Sequence, residues 1–465
     1  MMNKFTTVLL VLATMVSLSN AAIFNVKDFG AIGDGVALDT LAVQKAIDTC
    51  SEAGGGVLRI PAGDFVIGTV QIKSNVTLSF DHGSQLLGSQ DMKDYPIDKL
   101  RPAREGNSEC LLYAADATNI RFEGLGVIDG RGSREAFPKN AGPGRKDNRP
   151  RLIRFENCKN LTLSGLTYKN PAFWGIHLVD CKDVHITGVT LDMRDNNSNN
   201  DGFDIDGCEN VLLENSEIHS HDDAICLKSS LNPCRDIVVR NCNVSSITAA
   251  LKFGTSSSGG FINVDVSNCH FFDCPMGGIK LQSVDGGRLE NVNISRIVMD
   301  NIGSPIFIRL GNRGRIYAKE TYTGTNQLNK NKSEGAPVGL IKGIKISDVV
   351  ANVTIQPRGK TVADREIAQA GPIMITGIPG HNVEDVLLEN IKISYPGGIE
   401  EASDRVVPED ETRYPEQYFF GVLPAWGAYI RHAKNIEFKN VEMTIRGADK
   451  RQKIVLDDVE GFVNR

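Results

Sequence analysis

Two carboxylates stand side by side in the stretch HDDAICLK, where Asp222 and Asp223 precede a short apolar run that ends in Lys228. One repeat upstream, NNDGFDID supplies a third, Asp201, with Asp204 and Asp206 continuing the same strand. Aligning the two stretches sets Asp201 opposite Asp222, with Asp223 beside them. An acidic pair alone could be a surface turn screened by water. Three carboxylates from neighbouring segments are a different matter, because they cannot all ionise freely and at least one pKa must rise. Cleavage of a glycosidic bond needs that inequality. One acid keeps its proton for the leaving oxygen, while another stays ionised to activate water. Asp204 and Asp206 are read as supporting residues.

Cations recur around these acids. AICLK, AALKF, GIKLQ and FIRLG each set one positive charge among apolar residues: Lys228, Lys252, Lys280 and Arg309. If each interval is one coil of a repeat, the four form a ladder on one sheet face. Like charges stacked across strands destabilise a sheet unless something negative lies between them. A lone lysine of this kind usually covers the sheet with its stem and sends its head to water. Four in succession beside carboxylates point to a groove that binds the carboxylate of an acidic substrate. His221, directly before the pair, could tune it or simply face water in its turn. There is no tight CxxC pair and no phosphate-binding glycine loop, so neither a metal nor a cofactor is called for.

Holding such side chains one above another requires a stacked repeat. NLTLSGLTY, DVHITGVTL, NVLLENSEI, DIVVRNCNV and FINVDVSNC recur at spacings of about 25 residues, each alternating apolar and polar positions. The pattern predicts an all-β right-handed parallel β-helix, about three short strands per coil, with coils stacked at about 4.8 Å. Cys158, Cys181, Cys208 and Cys234 open equivalent strands and are read as stacked, buried free thiols. One helix is expected from about residue 40 to 51, with Asp39 or Thr40 at its N-cap and an apolar stripe of Leu41, Val43, Ala46, Ile47 and Cys50. It would cover the open N-terminal end of the solenoid. Residues 314 to 337 read as an exposed loop. Residues 396 to 430, with Phe419, Phe420, Trp426 and Tyr429, read as a segment packed on the solenoid wall beside a groove.

With 41% hydrophobic residues the 465-residue chain can bury a large core, and a net charge of −6 argues against nucleic-acid binding. A solenoid is quasi-one-dimensional, so this length does not force several domains. Residues 1–21 have the charge, apolar run and small residues of a signal peptide cut near Ala21 or Ala22. The expected product is a monomeric solenoid over 22–465, secreted or periplasmic, without a membrane anchor.

The segments FNVKDFGAIGDG and NPAFWGIH, the triplet Asn199-Asn200-Asp201 and the pair Asp222-Asp223 together resemble glycoside hydrolase family 28, the polygalacturonases. The resemblance covers nearly all of the chain after the signal peptide. It implies a β-helix that cleaves pectin with inversion, Asp222 giving the proton while Asp201 and Asp223 hold and deprotonate water. Two positions depart from the family's pattern. Lys252 stands where its Gly-His-Gly motif has histidine, and Gly278-Ile279-Lys280 lacks the arginine of Arg-Ile-Lys. Decorated or rhamnose-containing pectin and exo action therefore stay open. So do a Ca²⁺-assisted lyase and a non-catalytic adhesin on the same solenoid; the acid cluster favours the hydrolase.

Overall fold

A computed structural model describes residues 22–139, 148–194, 197–315, 317, 336–355, 370–399 and 406–465. The signal-peptide reading and most of the loop expected at 314–337 lie outside these residues. The strands from Ile23–Asn25 to Gln452–Asn464 join in one network, and each pairs in parallel with its equivalent one coil away. Three strands make a coil. Ile176–Val179, Lys182–Thr187 and Thr190–Met193 stack under Phe203–Asp206, Glu209–Glu214 and Glu217–Ser220, which stack under Ile225–Ser229, Cys234–Arg240 and Asn243–Ser246.

Alternation explains the inner face. In Lys182–Thr187, Val184 and Ile186 are buried and the residues between them are not. Near the start of the second strand of each coil the chain turns, and that turn uses a left-handed residue. Asn160, Asp183, Asn210, Asp236 and Asn263 all have φ between 56° and 58°, a region that Asn and Asp tolerate best after glycine. Their side chains also bond along the stack: Asn210 Nδ2 donates to Asp183 Oδ1 (2.7 Å) and Asn263 Nδ2 to Asp236 Oδ1 (2.9 Å). Asn160, part of an N-x-T sequence, is a turn residue of this ladder.

Each cysteine of the 158, 181, 208, 234 series precedes residues in mutual register, so the thiols form one buried column. All ten cysteines are buried and unbridged. Titration of the denatured, unreduced protein should therefore find ten reactive thiols per chain; a count near zero would contradict the column.

The N-terminal helix runs Thr40–Glu52 and buries Val43, Ala46, Ile47 and Cys50. Leu41 is 85% exposed, so it does not belong to the buried stripe. The expected side-chain cap is also absent. Asp39 instead accepts from the amides of Ile32 (2.7 Å) and Gly33 (3.0 Å), and Thr40 Oγ1 from Gly68 (2.8 Å). Both side chains tie the helix to neighbouring turns, which fixes it as a lid on the solenoid.

One sheet differs from the others because its outward face is covered too. Phe203–Asp206, Ile225–Ser229, Ala249–Ser257, Gly277–Ser283 and Ile306–Leu310 are buried at every position. Apolar side chains point into the solenoid, and the charged ones point outward beneath covering segments. This face carries the acids and cations singled out above.

Candidate active site

The acids lie at the entry to two successive strands of that sheet. Phe203 pairs with Ile225, and the Gly202 amide donates to the Asp223 carbonyl (2.9 Å). Continuing that register, Asp201 stands level with Asp223, and Asn200 with Asp222. The pairing of Asp201 with Asp222 expected above is thus off by one residue, because the coil that ends at Ile225 is one residue longer than the alignment assumed. The three side chains still converge. Asp201, Asp222 and Asp223 each offer an oxygen within 4.8 Å of the others.

Their environments are unequal. Asp223 is buried, and burial alone would raise its pKa; Lys252 and Lys280 outweigh that and hold it below its ordinary value. Lys252 Nζ lies 2.7 Å from Asp223 Oδ2, and Thr248 Oγ1 donates to Oδ1 (2.9 Å). Asp222 is half-buried, and its partners are neutral donors. The Asp223 amide donates to its Oδ1 (3.0 Å), Thr248 Oγ1 lies 3.4 Å from the same oxygen, and Asn199 Nδ2 donates to Oδ2 (3.3 Å). Burial and the charge of Asp223 push Asp222 up to about 6. Asp201 is raised further, by burial and then by Asp204, Asp222 and Asp223. One carboxylate of the three is held charged by a cation, and two are biased toward the acid form.

The four cations do not form one ladder. Cys226, Lys252 and Lys280 are register partners, whereas Lys228 pairs with Asp206 and Arg309 with Gln282, one column to the side. Nor do the four offer free charges to a groove. Lys280 is completely buried and ion-paired with Glu416, which also lies 3.6 Å from Lys252. Lys228 Nζ sits 3.5 Å from Asp204, 3.7 Å from Glu105 and 4.3 Å above the Trp174 ring. Arg309 donates to the carbonyls of Gly377 (3.0 Å) and Glu409 (2.7 Å), and burial with the neighbouring Arg431 pushes it down to about 10. Each of the four has its nearest partners within the chain. The three lysines neutralise the protein's own acids and Arg309 is held by backbone carbonyls, as a low-dielectric face demands.

His221 is half-buried, and burial followed by the charge of Arg134 lowers its pKa, so it is neutral near pH 7. Trp174 and Trp426 both pack. The first lies against Phe173 (5.1 Å), the second against Tyr395 (5.9 Å). Asp204 is fully buried and raised to about 7, first by burial. Sequence reasoning missed Glu105, Thr248, Tyr414 and Glu416. The last two lie in the aromatic segment expected beside the groove, but no periodicity marks which of its residues reach the acids. Tyr414 Oη is 3.0 Å from Lys252 Nζ.

The arrangement fits acid–base hydrolysis, with an ionised and a protonated carboxyl in contact. The 4.8 Å limit is the approach of one oxygen from each acid, whereas inverting glycosidases hold their carboxyl groups as a whole roughly 6.5–9.5 Å apart.

Known proteins resemble this chain in sequence and fold. A probable polygalacturonase of Vitis vinifera is 27% identical over 388 residues, 79% of this chain and 73% of the relative. An exo-poly-α-D-galacturonosidase of Dickeya chrysanthemi is 30% identical over 251 residues, covering 44% of this chain and 41% of the relative. Among solved structures, an exopolygalacturonase of Thermotoga maritima superposes with a TM-score of 0.68 at 22% identity, over 91% of this chain and 92% of that one. A surface adhesin of Streptococcus pneumoniae also matches, with a TM-score of 0.59 at 16% identity over 95% of this chain and all of that one, so the fold by itself does not assign a reaction. The family model for glycosyl hydrolases family 28 matches residues 50–407. With that match over most of its length, the chain belongs to glycosyl hydrolase family 28.

Proposed function

We propose that this glycosyl hydrolase cleaves a galacturonic-acid-containing bond of pectin, with Asp222 as proton donor. Asp223 deprotonates the attacking water, Asp201 helps to hold it, and the outcome is inversion. The observation that carries the assignment is the 2.7 Å contact between Lys252 and Asp223. It keeps one member of the adjacent pair ionised, while Asp222, bonded to neutral donors, keeps its proton up to about pH 6. The relatives named for polygalacturonic substrates support the substrate class. The apolar run and small residues at 1–21 support action outside the cytoplasm; among the described residues no helix is long and apolar enough to cross a membrane.

The reaction is read from its products. Digestion of polygalacturonic acid and of rhamnogalacturonan, with and without a chelator, should give saturated sugars, one water gained per bond and one new reducing end. Chelation should leave the rate unchanged. Ultraviolet-absorbing unsaturated products that require Ca²⁺ would sink the hydrolase reading for this chain.

A further inference from the structure

We propose that residues 406–420 form a fixed wall one coil beyond Asp223, on which Tyr414 seats the last sugar of the chain, so the enzyme trims chain ends. The proposal rests on the galacturonide reading above and adds its mode of action. The segment crosses the outward face of the catalytic sheet and is bonded to it strand by strand. Gln282 donates to the Pro415 carbonyl (2.8 Å) and Arg309 to those of Glu409 (2.7 Å) and Asp410 (3.2 Å). Arg431 donates to Val407 (2.8 Å) and Pro408 (2.9 Å), and the Asn312 amide to Glu411 (2.7 Å). Beneath it, Val407, Phe420 and Leu423 form a small apolar cluster with Phe307, Met374 and Tyr429.

Carbonyls bonded at six positions and an apolar underside make this a built part of the wall rather than a lid. Glu416 takes up the charges of Lys280 and Lys252. Directly beyond the acids, then, a passing uronate finds no free cation in these two lysines. Lys252 lies in the strand next to that of Asp223, about 4.8 Å along the axis. Tyr414 stands on this lysine, with its hydroxyl 3.0 Å and its ring centre 5.3 Å from Nζ. The residue is 40% exposed, at the end of an exposed run with Thr412 and Arg413, while the sheet beneath is buried. An exposed ring fixed beside the acids offers a flat apolar surface to a sugar. A polymer lying along the solenoid axis would collide with it, whereas a chain end would stop there.

Polygalacturonic acid and end-labelled oligogalacturonides of defined length test this. One small product from the first time points, with viscosity falling late, is expected. An early fall in viscosity with a ladder of intermediate lengths would overturn the wall while leaving the galacturonide reading intact. No cleavage of any galacturonide would overturn both. Tyr414→Ala should raise KM about 3- to 10-fold and let a longer product appear, while Tyr414→Phe, which keeps the ring, should hold KM near wild type. If Tyr414→Ala unfolds at the wild-type temperature and leaves KM and product length unchanged, Tyr414 does not seat the sugar.

Discussion

Asp222→Asn is expected to lower kcat by about 10²- to 10⁴-fold with little change in KM, the usual worth of a general acid. The amide keeps the shape and its one oxygen can still accept from the Asp223 amide, with only the longer bond from Asn199 given up, so the fold should survive. What is lost is the transferable proton. The wild-type pH profile should carry the same information. Asp222 is raised to about 6, so activity should fall as pH rises through that value and the donor ionises. Asp223 is held below its ordinary value, so the acid limb should lie at or under the usual carboxylate range. Asp222→Asn should flatten the alkaline limb along with the rate. Near wild-type turnover, measured on the substrate that the wild type cleaves best, would remove Asp222 from the role.

Lys252→Met should damage both rate and stability, in contrast to a lysine that merely binds substrate. Its side chain and that of Asp223 are almost fully buried and 2.7 Å apart. Removing one partner of such a pair leaves an uncompensated buried charge, which costs about 3–5 kcal/mol. The pH dependence of that loss has a definite sign. The folded pKa of Asp223 is depressed, so the stability it contributes is present above its unfolded pKa and disappears as pH falls through the folded value. The gap between wild type and Lys252→Met should therefore be full near neutrality and narrow in acid. Meanwhile the Asp223 pKa rises in the variant, the base is protonated over more of the pH range, and the acid limb moves upward. Lys252→Arg, which keeps the charge, should recover part of both. Differential scanning calorimetry and pH–rate profiles of the three proteins check this. A variant of normal stability with a raised KM and unchanged kcat would restore the substrate-binding role.

The solenoid is legible in the chain because its determinants are local. Alternation such as Val184 and Ile186 in Lys182–Thr187 fixes which side faces in, and Asn or Asp at each sharp turn supplies the left-handed residue. Repetition then stacks equal positions, which is why the cysteine column and the three converging acids could be read before any coordinates. The level at which those acids meet was not legible. It depends on the length of an irregular turn, and one residue moved Asp201 from Asp222 to Asp223. The cations show the same limit more sharply. Sequence places Lys252 and Lys280 on one face, but their meaning is set by Glu416 and Tyr414, the latter 162 residues from Lys252. A charged group's role follows from what surrounds it in a low-dielectric site, and no repeat specifies a segment that returns from the far end of the chain. The sequence alone determined the coil and the acids; only the tertiary structure decided which acid is held charged, because that depends on a buried lysine whose partners come from separate coils and a crossing wall.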